Sequence, residues 1–109
     1  SGMLVQVPLF ADLLAKKMKP EELRDYLADY YKDEKFIKVM PFGFDVEQGG
    51  AIFSDACAGW DGMEIIVTGN EDRMVVASRF DNLGKGASGA AVECMNIVMG
   101  CDPAKGLDL

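Results

Sequence analysis

Two β-rich runs, Met63 to Thr68 and Arg73 to Phe80, flank Gly69-Asn70-Glu71-Asp72, and this spacing constrains the fold more than any other feature of the chain. Glycine, asparagine and aspartate are the residues that a tight reversal needs, so the two runs are expected to pair as an antiparallel hairpin. The second run leads directly into Asp81-Asn82, then Gly84-Lys85-Gly86-Ala87-Ser88-Gly89, then an Ala-rich segment that reaches Gly100. Asp81 and Asn82 are candidate caps for a helix that ends near Gly100.

The rest of the chain supplies further elements around that hairpin. Met3 to Leu9, MLVQVPL, reads as a strand closed by Pro8, which cannot donate to a ladder. Phe10 to Met18 places Phe10, Leu13, Leu14 and Met18 at near-helical spacing, and reads equally as irregular chain over the sheet. Pro20-Glu21-Glu22 suits a first helical turn, because the ring needs no donor there and the dipole favours acids. The stripe Leu23, Tyr26, Leu27, Tyr30 and Tyr31 then predicts one apolar helix face, with Arg24, Asp25, Asp29 and Lys32 turned away. Phe36 to Met40, FIKVM, is a second expected strand, stopped at Pro41. Gly43 to Gly62 is expected to be a long surface connection or to hold a short strand near Ala51 to Phe53. The fold class is α+β: a largely antiparallel or mixed sheet with helices on one face.

Composition narrows the function. At 109 residues the chain fits one domain with a modest core. A net charge of -7 disfavours nucleic acid as a partner, since phosphate binding needs clustered cations. No apolar run approaches the roughly 18 residues of a membrane span, and no signal-peptide layout opens the chain, so a cytoplasmic protein is expected. Cys57, Cys94 and Cys101 form no C-x-x-C pair, and reduced thiols with no metal site are the expectation. The opening Ser1-Gly2 reads as an added pair or as a cut inside a longer protein.

The glycine-rich stretch satisfies G-x-G-x-x-G, the spelling of a dinucleotide-binding loop. That loop works at the first turn of a βαβ unit, where a helix N-terminus and close backbone approach hold the pyrophosphate. Here only CDPAKGLDL follows Gly100, too little for the second parallel strand, and no strand ends at Asp108 to present it to a ribose. A Walker loop fails as well, because Gly86 follows Lys85 where Ser or Thr is needed. What remains is a helix start with exposed backbone N–H groups, a cation at Lys85 and a polar cap at Asn82. Alternatively the small residues serve packing, with Ala87, Ala90, Ala91, Cys94 and Val98 as a buried helix face.

DNLGKGASGAAVECMNIVMG resembles the C-terminal segment of N-acetyl-γ-glutamyl-phosphate reductase, and GMLVQVPLF, PEELRDYLADYY, FIKVMPF and MEIIVTGNEDRMVVASRFDNL follow in the order of that family's shorter type. Aspartate-semialdehyde dehydrogenase, a relative, carries a similar DNL-x-KGAA element; GASGAAV followed by Met95-Asn96 favours the former. The resemblance implies residues 1–80 as the later part of a catalytic and dimerisation domain on the glyceraldehyde-phosphate dehydrogenase plan. It implies residues 81–109 as a closing helix and tail against an NADP-binding domain not contained here. Asn82 is then similar to the residue nearest the nicotinamide, with Lys85 and Gly86 bordering the cofactor pocket.

The chemistry that the resemblance implies is NADPH-dependent reduction of an acyl phosphate through a cysteine thioester, with a base beside the thiol. The family's nucleophile lies upstream of this segment, and the chain has no histidine, so no catalytic residue is assigned. Cys94, on the apolar face of its helix, and Cys101, in the tail, read as structural thiols. Cys57 lies where Ala58, Gly59 and Trp60 depart from the family's pattern, and its catalytic use is disfavoured. Tyr26, Tyr30 and Tyr31 read as core or interface aromatics, and the acids of KDEK and EELRD as a solvated face. A homo-oligomer is expected, because a sheet separated from its nucleotide domain exposes apolar surface. The competing reading is a free-standing α+β self-association module without enzymatic activity.

Overall fold

A computed structural model describes residues 1–109. Its sheet has four strands, β1 (Met3–Phe10), β2 (Ile37–Val39), β3 (Met63–Gly69) and β4 (Arg73–Phe80), in the order β1-β4-β3-β2. The helices are α1 (Pro20–Tyr30), the single turn α2 (Phe44–Glu47) and α3 (Gly89–Val98). Both α1 and α2 pack against β3, and the class is α+β with a mixed sheet.

The hairpin forms as its punctuation requires. β3 and β4 run antiparallel with Met63 opposite Phe80 and Gly69 opposite Met74. Asn70 organises the turn: its Oδ1 accepts the N–H of Asp72 and of Arg73, both at 3.0 Å, which is how an Asx side chain replaces ladder partners in a reversal. β3 lies between β4 and β2 and is covered on both faces, with Ile66 fully buried and its neighbour Val67 2% exposed. Met40, Phe44, Ile66 and Ala77 form the core cluster, with Leu4 and Ile52 packed at its margin.

β1 corrects one expectation. It runs through Pro8 to Phe10, pairing Pro8 with Val75 and Phe10 with Arg73. The strand lies at the sheet edge, where a residue lacking an N–H is tolerated. After it, only Ala11–Leu13 turns, as a short 3₁₀ segment, and the chain is irregular to Lys19. No strand forms at Ala51 to Phe53; the one regular element of the glycine-rich connection is α2, which buries Phe44.

α1 starts at Pro20 as expected but presents a different face. Tyr26 and Tyr30 are exposed and stack on each other, with ring centroids 6.4 Å apart, while Arg24 turns inward. Arg24 Nε donates to the Met40 carbonyl at 3.0 Å, so a long cation closes the end of β2 where an apolar residue could not. α3 ends in a Schellman arrangement: Gly100, at φ +70°, donates to the Ile97 carbonyl and Cys101 to that of Asn96. No helix is long and apolar enough to cross a membrane.

Candidate functional site

The junction between β4 and α3 is built on Asp81. Its Oδ1 accepts the N–H of Leu83 at 2.8 Å and of Gly84 at 3.2 Å, and its Oδ2 accepts the N–H of Gly59 at 2.7 Å. Of the two candidate caps it is Asp81 that acts, and Asn82 takes no part. The Gly59 donor, then those of Leu83 and Gly84, hold the Asp81 carboxyl well below the usual carboxylate range.

Gly84–Ser88 forms a wide π-helical turn rather than a free helix start. The Gly86 N–H donates to the Asp81 carbonyl at 2.9 Å and the Ser88 N–H to the Leu83 carbonyl at 3.0 Å, each five residues back. With Leu83 and Gly84 also engaged, four backbone donors between Asp81 and Gly89 are spent within the chain, which weakens the case for a pyrophosphate cradle here. The glycines have another cause. A Cβ on Gly84 would stand 2.7 Å from Asp61 Oδ1, and one on Gly89 would collide with the same oxygen and lie 2.8 Å from the Gly84 carbonyl oxygen. The spacing of Gly84 and Gly89 lets the turn close around Asp61.

Asn82, Lys85 and Gly86 line one cavity of about 310 Å³ with Met3, Met63 and Phe80. Strand register makes the apolar part: Met3 and Met63 are the two cross-strand partners of Phe80. A Cβ on Gly86 would come within 3.1 Å of the Phe80 ring, so the backbone there can approach closely only without a side chain. Lys85 is not a free cation. Its Nζ lies 2.6 Å from Glu93 Oε2 and 4.5 Å from the centre of the Phe36 ring. The cavity therefore offers a flat apolar wall, one amide and a neutralised ammonium, which suits a planar heterocycle better than a phosphate.

The small-residue face is not a packing face in this chain. Ala87, Ala91, Cys94 and Val98 are exposed and Ala90 is half-buried, whereas the buried residues of α3 are Gly89 and Asn96. The reason is geometric: no strand and no other helix packs extensively on α3, and its inner side meets Asp61 and the tail. Cys94, expected as a buried thiol, is thus an exposed one.

Cys57 is buried, and burial first, then the Glu64 charge, pushes its thiol up, which leaves it a poor nucleophile. Beside it lies a buried ion pair that sequence reasoning missed. Arg79 Nε donates to Glu64 Oε2, its Nη1 donates to the Phe53 carbonyl at 3.2 Å, and its guanidinium stands 5.1 Å from the centre of the Phe44 ring. The signal available was that Glu64 and Arg79 face each other once the hairpin register is set. No group of three His, Cys, Asp or Glu residues stands together as a metal site.

No family model matches the chain. Curated relatives do. It is 41% identical over 110 aligned positions, 97% of its length and 34% of the relative's, to N-acetyl-gamma-glutamyl-phosphate reductase 2 of Nostoc sp.. It is 39% identical, over the same shares, to the N-acetyl-gamma-glutamyl-phosphate reductase of Trichormus variabilis. The enzyme of that name from Brucella ovis is 37% identical over 91% of this chain and 32% of its own length. The chain spans about a third of the length of the curated relatives it matches. The resemblance read from the sequence holds: nearly every residue is related to a segment of these reductases.

Proposed function

We propose that this chain, a segment related to N-acetyl-gamma-glutamyl-phosphate reductases, serves in a parent enzyme as the surface that closes over the reduced nicotinamide of NADPH. The parent then reduces N-acetyl-gamma-glutamyl phosphate to the semialdehyde, releasing phosphate, a step of arginine biosynthesis. Residues 1–80 supply the sheet and the subunit interface, and residues 81–109 the helix and tail that meet the nucleotide-binding domain.

The observation that carries this reading is that the π-helical turn and α3 leave Ala87, Ala91, Cys94 and Val98 uncovered, following on from the cavity of Asn82, Lys85 and Gly86. An apolar helix face is stable in water only at a cost, and a domain-sized neighbour removes that cost. Val5 and Val7 are likewise exposed on β1, which supports self-association of the parent through the sheet. NADPH supplies the hydride when bound. Met3, Met63 and Phe80 can hold a flat ring, Asn82 can orient its amide, and Gly86 admits it closely. With Lys85 neutralised by Glu93, the cofactor's phosphates are held by other parts of the parent.

The test uses the intact reductase carrying Asn82→Ala or Lys85→Ala. Asn82→Ala is expected to raise the KM for NADPH roughly ten-fold by losing the group that orients the ring amide, and Lys85→Ala to do so by leaving the Glu93 carboxylate uncompensated beside the cavity. Unchanged KM and kcat in both variants would remove these residues from the cofactor site. The 109-residue chain alone, lacking the family's nucleophile and any histidine, is expected to oxidise no NADPH.

A further inference from the structure

α3 projects from the π-helical turn with little support from the sheet, yet one of its polar residues is almost fully enclosed: Asn96 is 4% exposed. Its Nδ2 donates to the carbonyls of Pro103 and Lys105, both at 2.9 Å, so one amide group gathers the tail after the helix has ended. The tail then continues past the helix to the connection before β3. There the Asp61 N–H donates to the Asp108 carbonyl at 2.8 Å, and the Asp108 N–H donates to Asp61 Oδ2 at 2.9 Å. The other oxygen of the same carboxylate is the one around which Gly84 and Gly89 close. A third tie joins the tail to the turn before β2: Lys35 Nζ lies 3.4 Å from Asp102 Oδ2.

We infer that the C-terminal tail is a strap that fixes the direction in which α3 projects, fastened to the helix at Asn96 and to the body of the domain at Asp61. The inference does not depend on the enzymatic reading, since it concerns only bonds within this chain. Its physical basis is leverage. A helix attached at one end through a wide turn is free to pivot there, and a tail returning from its far end to the same base closes a triangle. Asp61 is the shared corner, touching the turn through one oxygen and the tail through the other.

The test is amide hydrogen exchange on the 109-residue chain, followed by mass spectrometry of peptides from α3 and from the β3–β4 hairpin. Two variants are compared with the parent sequence: Asn96→Ala, and a chain ending at Asp102. In both, amides of Gly86 to Met99 are expected to exchange about ten-fold faster, while those of Met63 to Phe80 keep their protection. Unchanged exchange in α3 for the shortened chain would overturn the inference, because the helix would then be held without the tail. Equal loss of protection in the hairpin and in α3 would overturn it too, because the tail would then support the whole domain. Should Asn96→Ala fail to fold, the shortened chain, which keeps every residue of the sheet and of α3, decides alone.

Discussion

The carboxylate of Asp61 lies in the space that a side chain on Gly89 would occupy, and its Oδ1 stands 2.7 Å from where a Cβ on Gly84 would be. One acid, 23 and 28 positions before the two glycines, thus explains two of the three glycines in a pattern that spells a nucleotide loop. The chemistry is that of close approach, with an acid inside a turn, and not that of backbone donors reaching out to an anion.

This makes the two glycines separable by experiment. Gly84→Ala is expected to cost about 1–3 kcal/mol of stability by overpacking. Asp61→Ala in the same chain should remove most of that cost, because the next nearest atoms stand at 3.5 and 3.6 Å, ordinary contact distances. Gly89→Ala should stay costly beside Asp61→Ala, since the Gly84 carbonyl oxygen at 2.8 Å is backbone and cannot swing away. Urea denaturation of the single and double variants measures both couplings. Equal relief at both glycines would contradict this account.

Local signals carried most of the architecture. Turn residues between two β-rich runs gave the hairpin, and the proline with two acids gave the start of α1, because both depend on neighbours in sequence. Asp61 was invisible, since what it touches lies at Gly84, Gly89 and Asp108, far along the chain. Arg24 and Tyr26 were assigned to the wrong sides of α1, because periodicity ranks tyrosine as apolar and cannot see the Met40 carbonyl that draws a guanidinium inward. The site residues Asn82, Lys85 and Gly86 came from resemblance; their common cavity depends on strand register, and the Glu93 partner of Lys85 on the width of a π-helical turn.

Glu64→Ala is expected to be among the most destabilising changes in the chain. It leaves the Arg79 guanidinium, 5% exposed, with no charged partner beside the Phe53 carbonyl, the Phe44 ring and the Cys57 thiol. An unpaired buried charge costs about 3–5 kcal/mol. Glu64→Gln keeps an acceptor for Arg79 and should cost clearly less. A shift in the urea midpoint no larger for Glu64→Ala than for an exposed control such as Glu71→Ala would show that water solvates Arg79 where the structure encloses it.

Asp81 predicts how stability changes in acid. Its carboxyl titrates lower in the folded chain than in the unfolded one, so the unfolded state binds the proton first. The stabilisation is fully present above the ordinary carboxylate value near 3.8 and is lost as pH falls below it toward the folded value. Asp81→Asn has one acceptor oxygen where the carboxylate uses two, so the bond from Gly59 or those from Leu83 and Gly84 must be lost. The variant should be less stable at pH 7, and its stability should fall less steeply between pH 4 and pH 2 than that of the unaltered chain. Thermal melts across that range read the slope directly, and parallel curves for the two proteins would rule out Asp81 as the titrating group.

Val98 separates the surface of this chain from the interior proposed for its parent. The residue is 87% exposed near the C-terminal end of α3, where a cation is favoured by the helix dipole. In the 109-residue chain, Val98→Lys should therefore change stability by no more than about 0.5 kcal/mol. In the intact reductase the same residue is proposed to lie against the nucleotide-binding domain, and a lysine there would carry its charge into an apolar contact. The expected result is a melting temperature that moves by no more than about 2–4 °C in either direction for the chain, which is what about 0.5 kcal/mol does in a domain of this size, and a clear fall for the parent. A parent enzyme that accepts Val98→Lys without loss of melting temperature or NADPH turnover would mean that this end of α3 stays in water there too, and that the neighbouring domain meets the helix elsewhere or not at all.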